Sequence, residues 1–295
     1  MEEGTFIRYL AAKRSVDDRA LNRRVWDAMV EAAGRTAVSA GRRSTGGALP
    51  AARPRVLELG GGIGTMIERV VEDGRLLPAS WALLDSSPAL LREARHRIGG
   101  SLPFPVDYLE STVDAFLDSA PRQFELTVAN AVLDLLDLPR VLPRLAGRGS
   151  GLFYFTINFD GVTVLEPAVD ADLDERVVAL YHRTMDERIV DGIPSGDSRC
   201  GRHLLSLLPR CGFRIIEAGS SDWIVHPRDG AYPADERFFL SCILDFFEQS
   251  LSERDEIGAE ELSRWLQVRR RQLADGELVF IAHQIDVLAE TGGSP

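Results

Sequence analysis

The stretch Leu57 to Met66, read as LELGGGIGTM, constrains the fold more than any other part of the chain. It closes a β-rich run, RVLEL, with a cluster of glycines, and helical spacing begins at once with Met66, Ile67, Val70 and Val71. A strand, a tight turn and a helix start in that order present backbone N–H groups and the positive end of a helix dipole to a polar ligand. They also point to an α/β chain rather than to a bundle or a β-sandwich.

The remaining pattern extends this unit. Ser15-Val16-Asp17-Asp18 reads as a capping-box start for an amphipathic helix carrying Leu21, Val25, Trp26, Met29 and Val30, which Gly34 can end. The segment RTAVSAGRRSTGGALPAARP then reads as a linker. After the glycine turn, SWALLD forms a strand ending at Asp85, and Ser86-Ser87-Pro88 opens a helix. Strands follow around 105–109, 124–130 and 151–159, with the helix LPRVLPRLAG before the last. This alternation predicts a doubly wound, mostly parallel, seven-stranded sheet with helical insertions.

The insertions divide the chain. Residues 1–50 read as an N-terminal helical lid and linker, 51–160 as the ligand-binding half of the core, 161–200 as a helical insertion, and 201–230 as a core helix and strand. Residues 231–275 form a second helical insertion, and 276–295 the last strand and tail. Both insertions follow strands, and in such sheets whatever follows a strand lies on the ligand edge. They are expected to roof the crevice that holds the glycine turn.

A net charge of -11 argues against a nucleic-acid partner, since phosphate binding is built on Lys and Arg. Arg269-Arg270-Arg271 therefore reads as a solvated helix face. The three cysteines, Cys200, Cys211 and Cys242, lack metal-ligand spacing, and no apolar run reaches a membrane span. The expectation is a cytoplasmic protein with no membrane partner and no bound metal.

A nicotinamide fingerprint wants G-x-G-x-x-G, but counting from Gly60 the third position is Thr65. What the segment matches is acid-x-Gly-x-Gly-x-Gly, through Glu58, Gly60, Gly62 and Gly64. Here the chain resembles the class I S-adenosylmethionine-dependent methyltransferases, from Arg55 to Phe159 and again in GRHLLSLLPRCGFRII and ELVFIAHQI. The resemblance implies that the turn passes under the methionine and ribose of S-adenosyl-L-methionine, with S-adenosyl-L-homocysteine as product. It makes Asp85, 21 residues past Gly64, the acid for the ribose hydroxyls, with Ser86 beside it. It places Thr112, where the family often has an aspartate, and Asp114 near the adenine, and Asn130 beside the transferred methyl.

The acceptor side must then come from the roof. A methyl transfer needs the nucleophile held in line and water excluded, and a base only where the nucleophile carries a proton. His182 and Asp186 stand four apart in ALYHRTMDER, as a possible base and its orienting carboxylate, with Tyr181 beside them as a substrate contact. Arg199, Arg202 and His203, at the start of the next helix, are candidate anchors for an acidic group, although Asp197 or Ser198 can equally cap that helix. Asn158 and Asp160 point to the same space by strand alternation, and Tyr9, Lys13 and Arg19 lie on the lid. The expected substrate is a small, polar molecule, with an acidic group as the form these anchors would suit. A protein or RNA acceptor, or cofactor binding without methyl transfer, are the alternatives. The aromatic helix from Arg237 to Ser250 serves either the core or a homodimer seam.

Overall fold

The computed structural model describes residues 1–42, 53–100, 102–119, 123–148 and 151–292. Two helices open the chain, α1 (Glu3–Ala20) and α2 (Arg23–Arg42). The predicted helix start at Ser15 is therefore displaced. Ser15 lies inside α1, and the break falls at Leu21-Asn22, where the Asn22 side chain accepts from Arg24 N and Val25 N at 3.1 and 3.2 Å. The helix also runs through Gly34, and 43–52 of the expected linker lie outside the described residues.

The core then alternates as β1 (Arg55–Leu59), α3 (Thr65–Asp73), β2 (Ser80–Asp85), α4 (Pro88–Ile98), β3 (Val106–Glu110), α5 (Val113–Asp118), β4 (Leu126–Asn130), α6 (Leu138–Ala146) and β5 (Gly151–Glu166). Apolar residues on both faces of β1, β2, β4 and β5 are buried, as parallel strands sandwiched between helices require. Leu83, Val128 and Tyr154 pack with α2, α3 and α4 on one face; Leu57, Ala129 and Phe155 pack with α5, α6 and α8 (Cys200–Arg210) on the other.

Strand order is β3-β2-β1-β4-β5-β10-β8, where β8 is Phe213–Ser220 and β10 is Val279–Thr291. The first five strands pair in parallel, and β10 runs antiparallel to both β5 and β8. The doubly wound, mostly parallel sheet is thus the observed fold, with a short β9 (Trp223–Val225) added on β10 to make eight strands. A hairpin of β6 (Ile189–Val190) and β7 (Ile193–Pro194) stands apart from the sheet.

The two insertions and α1 build one layer. α7 (Ala171–Asp186), α9 (Glu236–Leu251) and α10 (Ala259–Ala274) share with α1 an apolar cluster containing Tyr9, Val16, Leu180, Phe239, Phe247 and Trp265. Arg269 is fully buried in this layer, bonded to Pro167 O at 2.6 Å and to Asp174 at 2.5 Å and lying 5.2 Å from the Trp265 ring centre. The reading of 269–271 as a solvated face therefore holds for Arg270 and Arg271 and fails for Arg269, whose charge is neutralised by a carboxylate on another helix. No described helix is long and apolar enough to cross a membrane.

Candidate cofactor and acceptor site

Strand order reverses between β1 and β4, so the loops leaving these two strands face each other at the switch point, where open α/β sheets bind ligands. A Cβ added at Gly60 would lie 2.6 Å from the Val132 side chain, which shows how closely the loops approach. Gly60, Gly62 and Gly64 all have positive φ, at 62°, 56° and 82°. Asp85 fixes the turn: one carboxylate oxygen accepts Gly62 N–H at 2.9 Å, the other accepts Ser87 N–H at 2.8 Å. Each oxygen keeps a free lone pair, so the carboxylate can still accept from a vicinal diol. The Ser87 hydroxyl caps α4, and Ser86 stands between it and Asp85.

Space around the turn is uneven. A Cβ at Gly64 would sit 2.2 Å from Ile98 Cδ1, inside packed core, whereas one at Gly62 would meet only Leu10 Cδ1 of α1 at 3.5 Å. The open face of the turn is therefore at Gly62, under α1. Arg14 of α1 is anchored across it to Glu68 at 2.7 Å and Glu72 at 2.5 Å on α3. A turn left open at Gly62, with a diol acceptor at its edge and a helix above, fits the nucleoside and amino-acid parts of S-adenosylmethionine.

Other expected cofactor contacts are more committed. Glu58 is 2% exposed and accepts Trp81 Nε1 at 2.9 Å. Burial pushes its carboxyl up to about 8, against the Trp81 hydrogen bond and the Arg69 charge, so it is largely neutral at pH 7. Thr112 caps α5 by accepting Ala115 N–H at 3.1 Å, and Asp114 is paired with Arg144 and, at 3.4 Å, Arg140. Asn130, at the tip of β4, accepts from the Thr156 hydroxyl at 2.9 Å.

On the acceptor side the expected base pair does not form. His182 Nε2 lies 3.0 Å from Thr163 Oγ1, with its ring edge-on to Phe159. Asp186 instead accepts Ser198 N–H at 2.7 Å and the Ser198 hydroxyl at 3.1 Å. Burial lowers the His182 pKa, so the imidazole is neutral near pH 7.

Two of the three expected anion anchors, Arg202 and His203, are also engaged. The amides at the start of α8 already meet carboxylates: Ser198 N–H meets Asp186, Arg199 N–H meets Asp197, and Arg202 N–H meets Asp160. Arg202 forks onto Asp160 through Nε and NH2, both at 2.9 Å, and His203 sits 2.7 Å from Asp197. Asn158 is fully buried and donates to Ile285 O at 2.8 Å. Its displacement from the expected alternation follows a bulge at Ile157, whose φ is 56° and whose N–H is held by Asp286 at 2.7 Å. His283 is half-buried and paired with Asp222 at 2.6 Å.

One acid went unnoticed in the sequence. Asp134 lies in a single 3₁₀ turn (Leu133–Leu135) four residues past the tip of β4, on the binding edge. One of its carboxylate oxygens is buried with no partner among the described residues. The available signal was a lone acid in the otherwise apolar AVLDLL, directly after a strand on the ligand edge. Its neighbourhood includes Tyr9, stacked on Phe239 at 5.7 Å, and Tyr181, stacked on Phe247 at 4.1 Å; their pKa values are raised by burial and, in part, by the Asp134 charge.

No family model and no curated protein matches the chain. Among solved structures it is similar to a putative methyltransferase from Bacillus halodurans C-125, at 13% identity and TM-score 0.47, covering 81% of this chain and 92% of that one. It is also similar to the YcgJ protein of Bacillus subtilis, at 12% identity and TM-score 0.47, over 93% of this chain and all of that one. A third is the cyclopropane synthase MmaA2 of Mycobacterium tuberculosis, at 12% identity and TM-score 0.43, over 89% and 83%. At such identities and scores, functional weight rests on the strand order and the turn themselves.

Proposed function

We propose that this chain is an S-adenosylmethionine-dependent methyltransferase acting on a small molecule. The observation that carries the reading is Asp85 holding Gly62 N–H at the switch point, which couples a diol-accepting carboxylate to a turn left open at Gly62. The antiparallel β10 between β5 and β8 counts against a nicotinamide enzyme, whose dinucleotide fold has six parallel strands in the order 3-2-1-4-5-6. When bound, the cofactor supplies an activated methyl on sulfonium sulfur. The chain's own part is to clamp the ribose through Asp85, to cover the turn with α1, and to exclude water with the roof.

A small acceptor is favoured because α1, α7, α9 and α10 form a continuous layer above the sheet edge. An acidic acceptor loses part of its expected support, since Arg202 and His203, two of the three expected anchors, are each paired with a carboxylate.

Calorimetric titration with S-adenosylhomocysteine tests the reading. Wild type is expected to bind it and to ignore NAD. Asp85→Ala is expected to weaken the affinity by about 100-fold, as two charge-assisted hydrogen bonds at roughly 1.5 kcal/mol each are lost. Equal affinity in the variant, or no binding by wild type, removes the proposal.

A further inference from the structure

We propose that the Lys13 ammonium, with the Arg69 guanidinium beside it, binds the amino-acid carboxylate of the cofactor. The inference rests on the methyltransferase reading above and adds the groups that fix the end of the ligand farthest from Asp85.

Lys13 is the only lysine in the chain; every other member of its 34 Lys and Arg residues is an arginine. Arginine serves the surface ion pairs, and the single lysine stands where the protein is nearly closed to solvent, at 7% exposure. An ammonium is a compact charge with three N–H donors on one atom, whereas a guanidinium needs a wide, flat space.

The surroundings of Lys13 leave donors unused. Its Nζ gives one hydrogen bond, to Asp17 Oδ2 at 2.6 Å, and lies 5.1 Å from the Trp223 ring centre. Arg69, on α3 and 6% exposed, brings Nη2 to 3.5 Å from the same Asp17 oxygen, and that nitrogen is buried with no hydrogen-bond partner among the described residues. The other Asp17 oxygen takes Trp223 Nε1–H at 2.9 Å. The next acid, Asp18, is engaged by Arg69 Nε at 2.5 Å and approached by Arg14 at 3.5 Å. Two nearly buried cations thus converge on one carboxylate oxygen, and buried donors left open in a folded protein mark a place for an acceptor.

That place adjoins the glycine turn. Leu10, whose Cδ1 is the nearest atom to a Cβ added at Gly62, precedes Lys13 by three residues on α1, so the two side chains are neighbours on one helix face. Arg69 enters from the other side, one helical turn after Thr65, which opens α3 and whose hydroxyl lies 3.5 Å from Arg69 Nη1. A ligand whose ribose lies on Asp85 and whose chain follows the open face under α1 brings its far end to these donors. Two cations there repel the cofactor's own ammonium and sulfonium, and they hold its carboxylate by charge-assisted hydrogen bonds.

The single lysine makes the test direct. Protein carrying ¹³C at lysine Cε gives one side-chain signal. It is followed as S-adenosylhomocysteine is added, or 5′-methylthioadenosine, which keeps the nucleoside and the sulfur and lacks the amino acid, each to saturation by calorimetry. The signal is expected to move with the first ligand and to stay with the second. Lys13→Met is expected to weaken S-adenosylhomocysteine binding by at least about 10-fold and to leave methylthioadenosine binding unchanged. Because this variant leaves Asp17 buried with one cation fewer, Lys13→Met/Asp17→Asn, whose amide oxygen can still accept Trp223 Nε1–H, is measured beside it and should show the same split. The inference is overturned if the signal ignores bound S-adenosylhomocysteine, if both ligands move it alike, or if the variants lose both ligands equally, which would make Lys13 a brace for α1. A signal that moves only when benzoate is added to the saturated protein also overturns it and gives Lys13 to an acidic acceptor. Failure of wild type to bind S-adenosylhomocysteine removes the underlying reading instead.

Discussion

Gly64→Ala is expected to unfold at markedly lower denaturant than wild type, whereas Gly62→Ala keeps most of its stability and loses cofactor affinity. The two glycines share a turn and a positive φ, yet their surroundings differ. At Gly64 a methyl group would stand 2.2 Å from Ile98 Cδ1 and 3.5 Å from Ala94 Cβ, both in the core under α4. Left-handed strain of about 1–2 kcal/mol and overpacking of about 1–3 kcal/mol then add to roughly 2–5 kcal/mol. At Gly62 only the strain applies, because the nearest atom is Leu10 Cδ1 at an ordinary 3.5 Å. The same methyl would project from the face on which the ligand is placed, and Asp85 prevents the turn from rotating away. Loss of at least about 10-fold in S-adenosylhomocysteine affinity, near 1.4 kcal/mol, is expected by calorimetry. If Gly62→Ala binds as wild type, the cofactor does not lie on that face. If Gly64→Ala matches wild type in urea unfolding, the packing of α4 against the turn is misread.

That contrast also shows where sequence reasoning reaches and where it stops. The turn and Asp85 were legible because each depends on spacing within one strand–turn–helix unit and on the length of one crossover. The same logic recovered the parallel strands. It failed where the deciding partner is remote in sequence. Ser15 looked like a cap until Asn22 took that role, and the opening helix runs through it. Arg269 looked solvated because Asp174, which neutralises it, lies on another helix. His182 and Asp186 had correct helical spacing, but Thr163 and Ser198 compete for them from other segments. Asp134 carried no periodic signal at all; it lies in a single 3₁₀ turn past β4, and one of its oxygens is buried without a partner among the described residues.

Glu58→Gln is expected to stabilise the cofactor-free protein at neutral and alkaline pH and to leave it unchanged in acid. Glu58 lies beneath the glycine turn, 2% exposed, and burial raises its carboxyl to about 8 from 4.5. The folded state therefore holds the proton more tightly than the unfolded chain. Its stabilising effect is complete below about pH 4.5 and is lost progressively as pH rises to about 8. At about 1.4 kcal/mol per pH unit, the loss is roughly 3 kcal/mol by pH 7 and at most about 5 kcal/mol above pH 8. Glutamine has the same shape, its carbonyl can still accept Trp81 Nε1–H, and it carries no charge to desolvate. Urea unfolding of both proteins from pH 4 to 9 should give curves that meet near pH 4.5 and separate steadily above it. Parallel curves would mean that Glu58 is ionised in the fold, with Arg69 compensating it, and would turn the acid beneath the turn into a charged partner for whatever occupies it.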